Sequence, residues 1–103
     1  MPYCVVLSTC DSQEEADKIA AVLLENNAAA CVQMTPVVSH YRWKGKIECA
    51  GEIRMLIKTT DACYPRVEKL IRENHSYEVP QIVKLPISGG LPEYLDWISG
   101  ETE

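Results

Sequence analysis

The sequence predicts an α+β domain with two helices packed on one face of an antiparallel sheet. Three observations carry this. Apolar spacing alternates between strand and helix periods in the order β-α-β-β-α-β, with a short helix after the last strand. The stretch YRWKGKIECAGEIRMLIKTT, from Tyr41 to Thr60, turns at Gly45 and joins two unusually long arms. Finally, 103 residues at 47% hydrophobic content suffice for one modest core and one domain spanning residues 1–103.

Tyr3 to Thr9 is nearly continuously apolar, which predicts a central strand covered on both faces. Asp11 and Ser12, each followed three residues later by Glu14 and Glu15, form a capping-box signature. Ala16, Ile19, Ala20, Leu23 and Leu24 then make one helical stripe that stops at Asn26-Asn27. Ala28 to Arg42 reads as a strand with Ala30, Val32, Met34 and Val38 on one face. Pro36 makes it an edge strand or places a bulge in it.

From Lys46 to Thr60 the alternation is regular. Ile47, Cys49, Gly51, Ile53, Met55 and Ile57 take one face, and Lys46, Glu48, Glu52, Arg54 and Lys58 take most of the other. Asp61 opens a second helix, with Pro65 in its first turn and Val67, Leu70 and Ile71 as its stripe. Asn74-His75-Ser76-Tyr77 closes it, Pro80 to Ile87 is the fourth strand, and Leu91 to Ile98 is the terminal helix, with the last residues frayed. This order is the split β-α-β, ferredoxin-like arrangement.

Each hairpin arm is about fifteen residues, or about 50 Å at roughly 3.3 Å per residue, against a diameter of about 35 Å for a 100-residue globule. The arms therefore bend or overhang the body. An overhanging apolar hairpin with an open edge is most simply covered by another copy of the chain, so the sequence predicts an obligate oligomer.

Charge and cysteine content narrow the function. A net charge of −5 with scattered lysines and arginines argues against nucleic acid. No apolar run is long enough to span a membrane, and the N-terminus has no basic region ahead of an apolar segment, so secretion is not expected. Five cysteines at 4, 10, 31, 49 and 63, with no C-x-x-C, point to a reducing, cytoplasmic setting. There is no G-x-S-x-G, no phosphate-cradling glycine loop and no H-E-x-x-H, so the chain is not expected to be an enzyme.

Ala29-Ala30-Cys31-Val32, Tyr41-x-Trp43-x-Gly45-Lys46-Ile47-Glu48, Glu52, Lys58-Thr59-Thr60, His75-x-Tyr77-x-x-Pro80, Leu85-Pro86-Ile87 and Tyr94-Leu95-x-Trp97-Ile98 together resemble the CutA family of divalent-ion tolerance proteins. The resemblance runs from about Val5 to Ile98. It implies a ferredoxin-like fold with a long hairpin between the second and third strands, assembled as a homotrimer similar to the PII signalling trimers. It also implies a part in tolerance to divalent metals, copper especially, with no cofactor needed for folding.

Members of that family described as copper-binding use a cysteine late in the first strand and two adjacent histidines. Here those positions are Ser8 and Asn74-His75, so only His75 matches, and Ser and Asn are poor ligands for a soft or borderline ion. Cys10, two residues beyond Ser8, points to the same face and is the substitute candidate.

His75 has three readings: a histidine at a helix C-terminus, a metal ligand, or a polar group in an intersubunit cleft. His40 reads as a solvent-facing or hairpin-packing residue. Glu52, Arg54 and Lys58 read as cross-strand ion pairs or as part of a polar cleft. In the cleft reading Tyr41, Trp43 and Tyr77 are the walls and Lys58 is the contact to a small anionic metabolite. That alternative makes the chain a PII-like sensor or adaptor, binding a metabolite or a partner protein.

Overall fold

The computed structural model describes residues 2–103. Seven elements follow in order: β1 (Tyr3–Cys10), α1 (Gln13–Glu25), β2 (Cys31–Trp43), β3 (Lys46–Thr60), α2 (Tyr64–Asn74), β4 (Val83–Ile87) and α3 (Pro92–Gly100). The four strands form one antiparallel sheet in the order β2-β3-β1-β4. This is the ferredoxin-like arrangement, and the second and third strands form the long hairpin.

The hairpin register is unbroken from Cys31 opposite Lys58 to Trp43 opposite Lys46. Pro36 sits opposite Ile53 without a bulge, because β2 is an edge strand whose outer side needs no N–H. Lys44 and Gly45 alone make the turn, with φ of 50° and 79°. Two successive positive φ values match the right-handed twist of the flanking strands. The arms make the molecule long, at 44 × 25 × 21 Å.

α1 and α2 pack on one sheet face. Cys4, Val6, Cys10, Met55 and Ile57 meet Ala16, Ile19 and Leu23 of α1 and Val67 and Ile71 of α2. All are buried, and each large aliphatic side chain among them contributes about 1.5–3 kcal/mol by leaving water. The opposite face carries Tyr3, Val5 and Leu7, which are only half-buried, so β1 is central but not equally covered on both sides. α3 reaches this face at one end: the Tyr3 hydroxyl donates to Ser99 Oγ, and Lys58 lies over the Tyr94 ring. The β3 stripe is buried at Met55 and Ile57 but open toward the turn, where Ile47 is 72% and Val38 of β2 is 70% exposed.

Several boundaries differ from the sequence expectation: β2 starts at Cys31 rather than Ala28, and α3 runs on to Gly100. α2 starts at Tyr64 rather than Asp61, because Thr60 and Asp61 accept the N–H groups of Cys63 and Tyr64 in a preceding turn. β4 starts at Val83, since the segment before it leaves the ladder at Leu7. The C-terminal residues are tied down, not frayed. Glu103 N–H donates to the Asn27 carbonyl and the Thr102 hydroxyl donates to Ile98.

Candidate functional site

β1 ends at Cys10, opposite Ile53, while β3 and β2 run on toward the hairpin turn. The chain leaving α2 fills the vacated space, and two features result there.

The first is a cluster of Cys10, Glu15 and His75, whose donor atoms all lie within 4.8 Å of one another. Cys10 comes from the helix-covered face of β1, Glu15 from the first turn of α1, and His75 caps the C-terminus of α2. The His75 side chain is fully buried and both ring nitrogens are engaged. Nε2 lies 2.7 Å from the Thr9 carbonyl, and Nδ1 lies 3.1 Å from the Tyr77 N–H. A carbonyl only accepts and an amide N–H only donates, so Nε2 carries the proton and Nδ1 is the acceptor. Glu15 Oε2, 3.8 Å from Nδ1, therefore faces a lone pair rather than forming an ion pair.

Ser12 caps α1 by accepting the Glu15 N–H. The Glu15 carboxylate does not complete a capping box. It accepts instead from the N–H and hydroxyl of Ser76, at 3.0 and 3.1 Å, and clamps the loop that presents His75. Cys10 Sγ lies 3.8 Å from His75 Nε2. Burial, followed by the neighbouring Glu15 carboxylate, pushes the Cys10 thiol up to about 12.

The second feature is a cavity of about 620 Å³ on the opposite sheet face. Tyr41, Trp43, Glu52 and Tyr77 all line it. Glu52 is 8% exposed, and its Oε2 accepts the Tyr77 hydroxyl at 2.6 Å. Burial and that carboxylate push the Tyr77 phenol above its usual range, so it stays a neutral donor. The Tyr77 ring also packs on His75, with centroids 4.7 Å apart, and so joins the cavity wall to the cluster.

Of the residues singled out in the sequence, His75 and Cys10 are together, and so are Tyr41, Trp43, Glu52 and Tyr77. Lys58 is not with them within one chain. It lies six residues from Glu52 along β3, about 20 Å at roughly 3.3 Å per residue, and donates to Gln33 Oε1 at 2.8 Å. Ser8 is buried with no partner for its hydroxyl, and the Asn74 side chain donates to the Leu70 carbonyl. Glu15 escapes sequence reasoning because its capping-box spacing explains it locally. The His40 ring sits at the exposed hairpin, 3.7 Å from Cys49 Sγ.

Residues 4–101 match the family model described as CutA1 divalent ion tolerance protein. The divalent-cation tolerance protein CutA of Archaeoglobus fulgidus is 44% identical over 95 residues, covering 92% of this chain and 93% of its own length. That of Thermus thermophilus is 43% identical over 99 residues, covering 95% and 96%. A solved structure described as the periplasmic divalent cation tolerance protein CutA of Archaeoglobus fulgidus aligns with a TM-score of 0.96 at 42% identity, over 98% of this chain and 99% of that one. With the fold, the hairpin and His75-x-Tyr77-x-x-Pro80 in place, the chain belongs to the CutA1 divalent ion tolerance family.

Proposed function

We propose that the chain is a single-domain, homotrimeric, non-catalytic cation-tolerance protein. In this reading it binds copper or a related divalent ion at Cys10, Glu15 and His75 and so contributes to the response to metal. The observation that carries the reading is the convergence of three donor atoms within 4.8 Å at a junction of β1, α1 and α2. A thiolate, an imidazole and a carboxylate suit a borderline ion, so the donor set fits chemically. The bound ion would supply a Lewis-acidic positive charge at this junction. To hold it the chain must release the Cys10 proton and, at His75, the Tyr77 N–H if Nδ1 coordinates, or both backbone hydrogen bonds if Nε2 does.

Assembly is supported by the hairpin. Val38 and Ile47 near its tip are exposed, and β2 presents a free outer edge of 13 residues. A cytoplasmic setting is supported by five free thiols. No helix among the described residues is long and apolar enough to cross a membrane. The anionic-metabolite alternative is not favoured by the cavity, whose lining includes Glu52 and Glu78 but no lysine or arginine.

Calorimetric titration of the reduced protein with Cu(II), Zn(II) and Cu(I), with mass checked by light scattering, tests the reading. Saturable binding lost in His75→Ala and in Cys10→Ser, with the assembly intact, supports it. Binding that both variants retain removes the cluster from the account.

A further inference from the structure

We propose that the cavity beside Glu52 binds a small organic cation of the alkylammonium type. This goes beyond the metal reading and concerns a different set of side chains. A volume of about 620 Å³ lies within the range of about 300–1,000 Å³ typical of small-molecule sites. Two carboxylates, Glu52 and Glu78, and one imidazole, His40, line it, and no lysine or arginine does. Arg54 follows two residues along the same strand face but is not part of the lining. Lys44 pairs with Glu78 at 3.6 Å in an exposed position, so it leaves the buried Glu52 carboxylate uncompensated. Tyr77 takes one lone pair of that carboxylate, and a carboxylate has about four acceptor sites.

The walls identify the kind of cation. Tyr77 touches the carboxylate and Tyr41 lines the same cavity, with Trp43 farther along the hairpin opposite Lys46, and a ring face attracts an organic cation that sheds water easily. The Trp43 ring already has a cation near it, the Lys44 ammonium at 5.6 Å from its centroid. A bare divalent ion is a poorer fit, since it needs several converging donors. Among the described residues the only group of three or more such side chains is the Cys10 cluster. An inorganic anion would face two carboxylates.

The test uses the intact reduced protein, titrated by calorimetry with tetramethylammonium and with butylammonium against sodium chloride at equal ionic strength. Inorganic phosphate serves as the anion arm. Saturable binding of at least one ammonium probe is expected. It should weaken about tenfold or more in Glu52→Gln, in keeping with the loss of a charged hydrogen-bond partner. Glu52→Gln keeps an acceptor for Tyr77, and light scattering and melting temperature check its integrity. Should it fail to fold, Tyr41→Leu removes a wall and is expected to weaken binding severalfold. Ammonium binding should persist in protein freed of metal by a chelator, which separates this result from any failure of the metal reading. Absence of saturable ammonium binding, binding indifferent to these cavity substitutions, or preference for phosphate overturns the proposal.

Discussion

Raising the pH above about 9 should destabilise the protein, and two buried thiols set the size of the effect. The folded environment pushes Cys10 up to about 12 and Cys4 up to about 11, from an ordinary value of 9.0, in both cases mainly by burial. Both thiols hold their protons more tightly in the fold, so the unfolded chain gives up its thiol protons first. The stabilisation is complete below about pH 9 and is lost as pH climbs through 11 and 12. A tenfold change in proton affinity corresponds to about 1.4 kcal/mol, so each thiol removes about 2 kcal/mol between pH 9 and 11, and the pair about 4 kcal/mol. That is a large part of the roughly 5–15 kcal/mol total of an ordinary domain. Urea unfolding followed by circular dichroism from pH 7 to 11, at fixed protein concentration and with reductant, measures it. Cys10→Ala should roughly halve the loss. An unchanged slope in that variant, or rapid alkylation of native Cys10 at pH 9, would refute the reasoning.

The remaining predictions rest on the same contacts. Metal affinity at the cluster should rise about tenfold per pH unit between pH 6 and 8, because a thiol held up to about 12 must lose its proton on coordination; a flat profile would exclude Cys10 as a ligand. Tyr77→Phe leaves the buried Glu52 carboxylate without its 2.6 Å donor and should cost about 1.5–3 kcal/mol in urea unfolding. Ile47→Asp, at a 72% exposed position near the hairpin turn, should leave the fold intact by circular dichroism while shifting mass in sedimentation toward the monomer.

The fold was legible wherever a local period decided it. The β3 range Lys46–Thr60 coincides with its alternation, and the turn at Lys44-Gly45 follows from a glycine between two long arms. What escaped was set by long-range partners. Asp61 has a helix-opening side chain, but its N–H donates to the Pro2 carbonyl and its carboxylate pairs with Lys84, so α2 begins later. Pro80 to Ile82 continue the pattern of a strand, yet they do not join the ladder although β1 runs on to Cys10, and Gln81 meets the Thr9 hydroxyl through its side chain instead. The tail is held by Asn27, far away in sequence.

The site was legible in part for the same reason. Two-residue spacing put Cys10 on the face of Ser8, and the loop order brought His75 to it. Glu15 was hidden behind a capping role that its backbone performs while its carboxylate goes to Ser76. Lys58 shares a strand face with Glu52, but face does not specify distance along the strand.

The central claim is that Cys10, Glu15 and His75 hold the cation in a CutA1-family fold. X-ray absorption on reduced protein loaded with one equivalent of Zn(II) tests it most directly. The account predicts one sulfur at about 2.3 Å and nitrogen or oxygen near 2.0–2.2 Å, with the sulfur absent in Cys10→Ser. A shell of oxygen and nitrogen alone in the wild-type protein would contradict it.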